Sequence, residues 1–185
     1  MWESDDPLTR DNLSTLGDPR VRAVEVPAMP KRSLGALRNL AVEAARGGIV
    51  AQWDDDDWYA PARLEEQVRS LAESGLPGCV LERWTIYDAI DRRAYVSARR
   101  AWEGSLVARK DAMPAYADVP RGEDTALIAS LMAEAKLTAL DRPDLYVYTY
   151  HGANTWARAH FRKRILMNAE ALPESESARI ARLLG

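Results

Sequence analysis

The chain has 185 residues, with 25 Lys+Arg against 28 Asp+Glu and a net charge of −3. That length supports one domain, residues 1–185, with a full apolar core. Apolar residues at 47% and charged residues at 29% exclude disordered and fibrous architectures. The slight negative balance gives no field for polyanions, which excludes bulk attraction to nucleic acid. No stretch reaches the roughly 20 apolar residues of a membrane span. One cysteine, Cys79, can form neither an internal disulfide nor a structural zinc site. The opening Met1-Trp2-Glu3-Ser4-Asp5-Asp6 is acidic and unlike a signal peptide, so a cytoplasmic, reducing location is expected.

In chain order, Val21–Val26 reads as a short strand ended by Pro27 and Pro30. Ser33 caps a helix with Leu34, Leu37, Leu40, Ala41 and Ala44 on one face, and Gly47-Gly48 stops it. Ile49–Trp53 is too brief for a helix and reads as a buried strand. Pro61 opens the next helix, whose apolar stripe is Leu64, Val68, Leu71 and Ala72, closed by Gly75. Cys79–Tyr87 and Ser105–Ala108 read as strands, and 123–136 as a helix turning Leu127, Leu131 and Ala135 inward. Leu145–Tyr150 is again strand-like, followed by basic helical sequence over Trp156–Met167 and a short terminal helix. This alternation predicts an α/β layered sheet.

Asp54-Asp55-Asp56-Asp57 directly follows the strand at Ile49–Trp53. Side chains alternate across a strand, so Asp54 and Asp56 are expected to point one way and Asp55 and Asp57 the other. Four adjacent carboxylates repel, and a divalent cation, backbone amides or a basic partner must offset that. Hard oxygen ligands suit Mg²⁺ or Mn²⁺, and α/β sheets bind ligands at the carboxyl ends of their strands. The competing reading is a solvated acidic loop, with Asp57 capping the Pro61 helix.

The run Leu34-Gly35-Ala36-Leu37-Arg38-Asn39-Leu40, then Gly47-Gly48-Ile49-Val50-Ala51-Gln52-Trp53 and the four aspartates, then Pro61-Ala62-Arg63-Leu64, resembles family 2 glycosyltransferases of the GT-A fold. Gly104-Ser105-Leu106 with Arg109, Arg121-Gly122-Glu123-Asp124-Thr125, and Tyr148-Thr149-Tyr150-His151-Gly152-Ala153-Asn154-Thr155 extend the likeness in the same order. Gly48 stands where the family usually has glutamate. The resemblance implies a mixed sheet flanked by helices. It also implies that the chain starts inside the family's second strand, with Asp5-Asp6 at the place of its paired aspartates and the first strand-helix unit missing. An unpaired sheet edge there predicts self-association into a homo-oligomer or a rearranged N-terminus.

By resemblance, Asp54 and Asp56 form an Asp-x-Asp motif whose Asp56 ligates Mn²⁺ or Mg²⁺ and whose Asp54 touches ribose or a metal-bound water. Asp124 is the general base toward an acceptor hydroxyl of unknown identity. His151 is a further metal or diphosphate ligand. Asp5, Asp6, Arg38, Asn39, Asp55, Trp58, Arg109 and Glu123 contact the nucleotide-diphosphate sugar. Each has a plainer reading. Glu123 and Asp124 suit a helix start electrostatically, His151 follows three tyrosines as a packed ring would, and Trp58, Trp84 and Trp102 fit a core as well as a sugar face. The basic run Arg158, Arg162, Lys163, Arg164 reads as a solvated helix face. The leading function is a metal-dependent inverting glycosyltransferase. The alternative is a silent GT-A remnant that binds a sugar or a partner. A nucleotidyltransferase is disfavoured, because no Gly-rich, basic phosphate loop precedes the first helix.

Overall fold

A computed structural model describes residues 17–185, together with Asp11, Thr15 and the backbone of Trp2–Glu3. Asp5 and Asp6 lie outside the described residues. Of the strand expected at Val21–Val26 only β2 (Glu25–Val26) forms, pairing in parallel with β1 (Trp2–Glu3).

Helix α1 (Leu34–Ala44) starts where expected, with Ser33 Oγ accepting from the Ala36 amide at 3.0 Å. Its apolar face is not its anchor. Only Gly35 is buried, and Leu34 stays exposed. The helix is instead fastened to residues 116–119 through its backbone and polar groups. A Cβ on Gly35 would sit 1.8 Å from the Ala117 carbonyl oxygen, so only glycine permits this approach. One turn on, Asn39 accepts from the Tyr116 amide and donates to the Tyr116 carbonyl, at 2.8 and 3.0 Å.

A four-stranded mixed sheet follows in the order β3 (Ile49–Ala51), β8 (Trp102–Arg109), β5 (Gly78–Leu81), β9 (Leu137–Leu140). It is covered on both faces, so its central strands are buried along nearly their whole length rather than alternating. Cys79 and Val107 pack with Leu71 of α2 (Arg63–Ser74). Val80, Leu106 and Ala108 pack on the other face with Leu127, Ile128 and Leu131 of α3 (Glu123–Ala133). Burial raises the thiol pKa of Cys79, which has no exposed surface.

Helix α2 departs from its expected stripe. Leu64 and Val68 are exposed, and the buried row is Arg63, Gln67 and Leu71 at four-residue spacing. Two polar side chains thus face the sheet, where Gln67 donates to the Ser105 carbonyl at 2.8 Å and Arg63 to the Gln52 carbonyl at 3.1 Å. Asp57 does not cap this helix. Its N-cap is Ala62, and no side chain serves it. Helix α3 ends earlier than 136, and Ala135 lies beyond it, exposed and at a φ of 52°.

The expected strand Cys79–Tyr87 is two strands. Residues 82–84 carry the chain from β5 into a second sheet, ordered β11 (Glu170–Ala171), β7 (Arg93–Val96), β6 (Thr85–Asp88), β10 (Tyr146–Tyr150), β4 (Trp58–Tyr59). One face of this sheet packs Ile86, Tyr146 and Tyr150 with Trp84 and with Trp102 of β8. The other packs Tyr87, Ala94 and Val147 against Ile180 of α5 (Glu174–Leu184). Against the first of these faces, α4 (Arg158–His160) continues as a π turn over Phe161–Ile165, which buries Phe161 and Ile165 and leaves Arg162, Lys163 and Arg164 outside. Among the described residues no helix is long and apolar enough to cross a membrane.

Candidate active site

The acidic turn, the start of α3, Gly104 of β8 and the segment from Asn154 to Ile165 line one cleft of about 580 Å³. Strand β3 ends at Ala51, and Asp55-Asp56 form a turn, so strand alternation does not govern the four aspartates. Each of three finds a separate partner. Asp54 Oδ1 accepts from Arg38 at 2.7 Å. Asp56 Oδ2 lies 3.2 Å from His151 Nε2 and accepts from the Asn154 amide at 3.2 Å. Asp57 accepts from the Tyr146 hydroxyl at 2.5 Å and from the Thr149 amide at 2.8 Å, while Asp55 is exposed. Burial pushes the Asp57 carboxyl up to about 7, against the pull of those two hydrogen bonds.

Arg38 joins the two halves of the site. Its Nε donates to Glu123 at 2.8 Å while its Nη2 holds Asp54. Burial disfavours its charge, but the two carboxylates outweigh that and hold the guanidinium above its ordinary pKa. Glu123 is therefore a buried ion-pair partner, and its neighbour Asp124 turns into the cleft. Asp124 accepts from Gln52 at 3.3 Å, and Gln52 in turn accepts from the Tyr116 hydroxyl at 3.1 Å.

Beneath the acidic turn lies Arg63, with no exposed surface and no ion pair to any described carboxylate. Its guanidinium sits over the rings of Tyr59, Trp53 and Tyr146, at 4.5, 5.0 and 5.2 Å from their centroids. Aromatic faces replace a counter-ion there. The Tyr59 hydroxyl accepts from the Asp54 amide at 2.8 Å and donates to its carbonyl at 3.1 Å, so the caged arginine supports the rings that hold the turn. Gly104 leaves space where a Cβ would meet the Tyr146 hydroxyl at 3.2 Å and Asp54 Oδ2 at 3.5 Å. Trp84 and Trp102 stack at 4.3 Å as core residues, with Trp84 also forming cleft wall.

Of the candidate site residues, Arg38, Asp54, Asp55, Asp56, Glu123 and Asp124 line the cleft, and His151 reaches Asp56 at its edge. Three others lie elsewhere. Asn39 uses its amide on the Tyr116 backbone. Arg109 pairs with Ile49, at the start of β3, whereas the aspartates follow the end of that strand. Trp58 packs on the α5 side of the second sheet with Val147 and Ile180. Among the described residues, no three His, Cys, Asp or Glu side chains converge as a metal cage.

Glu103 belongs to none of the sequence motifs, yet it lines the cleft one residue before Gly104. Burial raises its pKa, Arg100 at 3.1 Å lowers it and the Asp124 charge raises it again. A raised folded-state pKa in an acid means that stability falls as pH climbs through the interval between the unfolded and folded values. Glu103→Gln is therefore expected to gain melting temperature over the parent progressively as pH rises above the ordinary glutamate value of about 4. A difference independent of pH would contradict this.

The two mixed sheets flanked by helices are consistent with a GT-A fold, and they frame an acidic cleft at strand ends. The family model for glycosyl transferase family 2 matches residues 7–122, and the chain belongs to that family. It is similar, at 43% identity over 42 residues, to a Bacillus subtilis (strain 168) protein described as "Putative glycosyltransferase EpsH". That match covers 23% of this chain and 12% of the relative, so the chain spans a small part of that protein's length.

Proposed function

We propose that this domain transfers a sugar from a nucleoside-diphosphate donor to an acceptor hydroxyl with inversion, assisted by Mn²⁺ or Mg²⁺. The observation that carries this reading is that the acidic turn and Asp124 line the same cleft. Asp56 and His151 are already within 3.2 Å of each other and would hold the ion. Asp54 keeps Oδ2 available beyond its bond to Arg38. Two protein donors suit Mg²⁺-type sites, which take one or two carboxylates and fill the remaining positions with substrate phosphates and water. The ion would offset the negative charge that develops on the departing diphosphate. Arg38 fixes Asp54 relative to α3 and so sets the distance between the acidic turn and Asp124. Asp124 takes the acceptor hydroxyl proton as that oxygen bonds to the anomeric carbon. The bond from that carbon to the diphosphate oxygen breaks on the opposite face, and nucleoside diphosphate leaves.

Calorimetric titration of UDP and GDP, with and without Mn²⁺, tests this on the full chain. Metal-dependent binding is expected, and Asp56→Ala should weaken it by at least about tenfold, on the scale typical of losses around a metal site. Asp55→Ala should change it little, and an equal loss at both positions would overturn the assignment of Asp56. Release of nucleoside diphosphate from a nucleotide sugar supports transfer. Binding without any turnover supports the silent-remnant reading instead.

A further inference from the structure

We propose that the acceptor carries an anionic group, phosphate or carboxylate, near its reacting hydroxyl, and that Arg121 and Arg164 bind that group. The proposal rests on the glycosyl-transfer reading and names the class of substrate that would fill the other part of the same cleft. Most charged groups there are already matched. Arg38 bridges Asp54 and Glu123, and Arg100 pairs with Glu103 while stacking 3.8 Å over Trp102. Arg121 and Arg164 also line the cleft, and neither has a carboxylate partner among the described residues.

Their arrangement is built rather than scattered. Arg121 lies over the Trp156 ring at 5.9 Å, and Trp156 stacks on His160 at 4.1 Å and 13°. Arg164 follows in the π turn, whose burial of Phe161 and Ile165 leaves it outside and toward the cleft. Burial, and after it the charges of Arg164 and Arg100, act against protonation of His160. Two exposed guanidiniums lining the cleft without a carboxylate partner among the described residues leave this wall free to take an anion through charge-assisted hydrogen bonds.

That anion is the acceptor's rather than the donor's diphosphate. The diphosphate belongs with the ion at the acidic turn, whereas Arg121 stands three residues before Asp124, beside the group that meets the acceptor hydroxyl. A neutral acceptor would cover two guanidiniums without satisfying them.

The test titrates inorganic phosphate, glycerol 3-phosphate and glucuronate into the full chain, with glycerol and glucose as neutral controls. Each probe is run without nucleotide and with saturating UDP or GDP plus Mn²⁺. Anionic probes should bind at least about tenfold more tightly than their neutral counterparts, as charge-assisted hydrogen bonds allow. Arg121→Ala and Arg164→Ala should each remove most of that preference, with Arg121→Lys restoring part of it. Both residues are exposed, so these variants keep the fold, and metal-dependent nucleotide affinity should not change. Glycerol 3-phosphate outbinding glucuronate assigns the anion as phosphate, and the reverse order as carboxylate. Equal binding of charged and neutral probes overturns the proposal. So does loss of nucleotide affinity in the arginine variants, which would make this wall part of the donor site. If nucleotide binds nowhere, the glycosyl-transfer reading fails separately, and the nucleotide-free arm still decides whether the arginines hold an anion.

Discussion

Asp124→Asn is expected to slow sugar transfer by about 10²–10⁴-fold, the usual worth of a positioned general base, while donor affinity stays near the parent value. The proton leaves the acceptor only as its oxygen attacks, so the carboxylate acts in the transition state and not in the donor complex. Asparagine keeps the size of the side chain and a carbonyl that accepts from Gln52, which preserves the 3.3 Å contact. Glu123→Gln probes the other carboxylate of the pair. Glu123 is spent on Arg38, so its substitution should cost stability more than chemistry. Parallel measurement of donor binding and turnover separates the two effects. Transfer at the parent rate by Asp124→Asn would remove the residue from the mechanism and leave it a helix-start charge.

Arg38→Ala is expected to destabilise the domain by about 3 kcal/mol, as breaking one side of a buried ion pair does. Glu123 has a side-chain exposure of 4% and would be left charged without its partner. Asp54, at 30%, has water to turn to, which puts the cost at the lower end of the buried-pair range. Urea unfolding measures the loss. Arg38→Lys should recover only part of it, because an ammonium is a point charge and cannot span two carboxylates as the guanidinium fork does. A loss below about 0.5 kcal/mol for Arg38→Ala, within the range of ordinary surface changes, would mean that the pair behaves as an exposed one.

The sequence made some elements readable and hid others for physical reasons. The Ser33 cap and the Gly75 stop are local signals, and both stand where expected, Gly75 at a φ of 69°. The apolar run Cys79–Tyr87 carried no mark of the sheet change at residues 82–84, because both halves are buried and periodicity is silent for strands covered on both sides. The apolar stripe of Leu64, Val68, Leu71 and Ala72 marks helix α2, but polar Arg63 and Gln67 face inward, because the Gln52 and Ser105 carbonyls accept from them and aromatic rings face the guanidinium. In the cleft, motif order brought Asp54, Asp56, Glu123 and Asp124 to attention. Glu103, Gln52 and the Arg121–Trp156–His160–Arg164 wall depend on contacts between segments far apart in the chain, and no short motif encodes those.

The single thiol gives the molecule a built-in clock. Cys79 is sealed between α2 and Val107, with no surface of its own and a proton that burial holds in place. A thiol reagent can reach it only when α2 lifts from the sheet or the chain unfolds, because the reactive species is the exposed thiolate. With reagent in excess and reclosing faster than the chemistry, the labelling rate equals the intrinsic thiol rate scaled by the open fraction. The helix that shields this sulfur begins with Arg63, whose aromatic cage holds the acidic turn. A ligand that settles the turn should therefore retard modification of a sulfur that lies under the same buried face of that helix as Arg63, 3.8 Å from Gln67, and an unlabelled native protein can report occupancy of its own cleft.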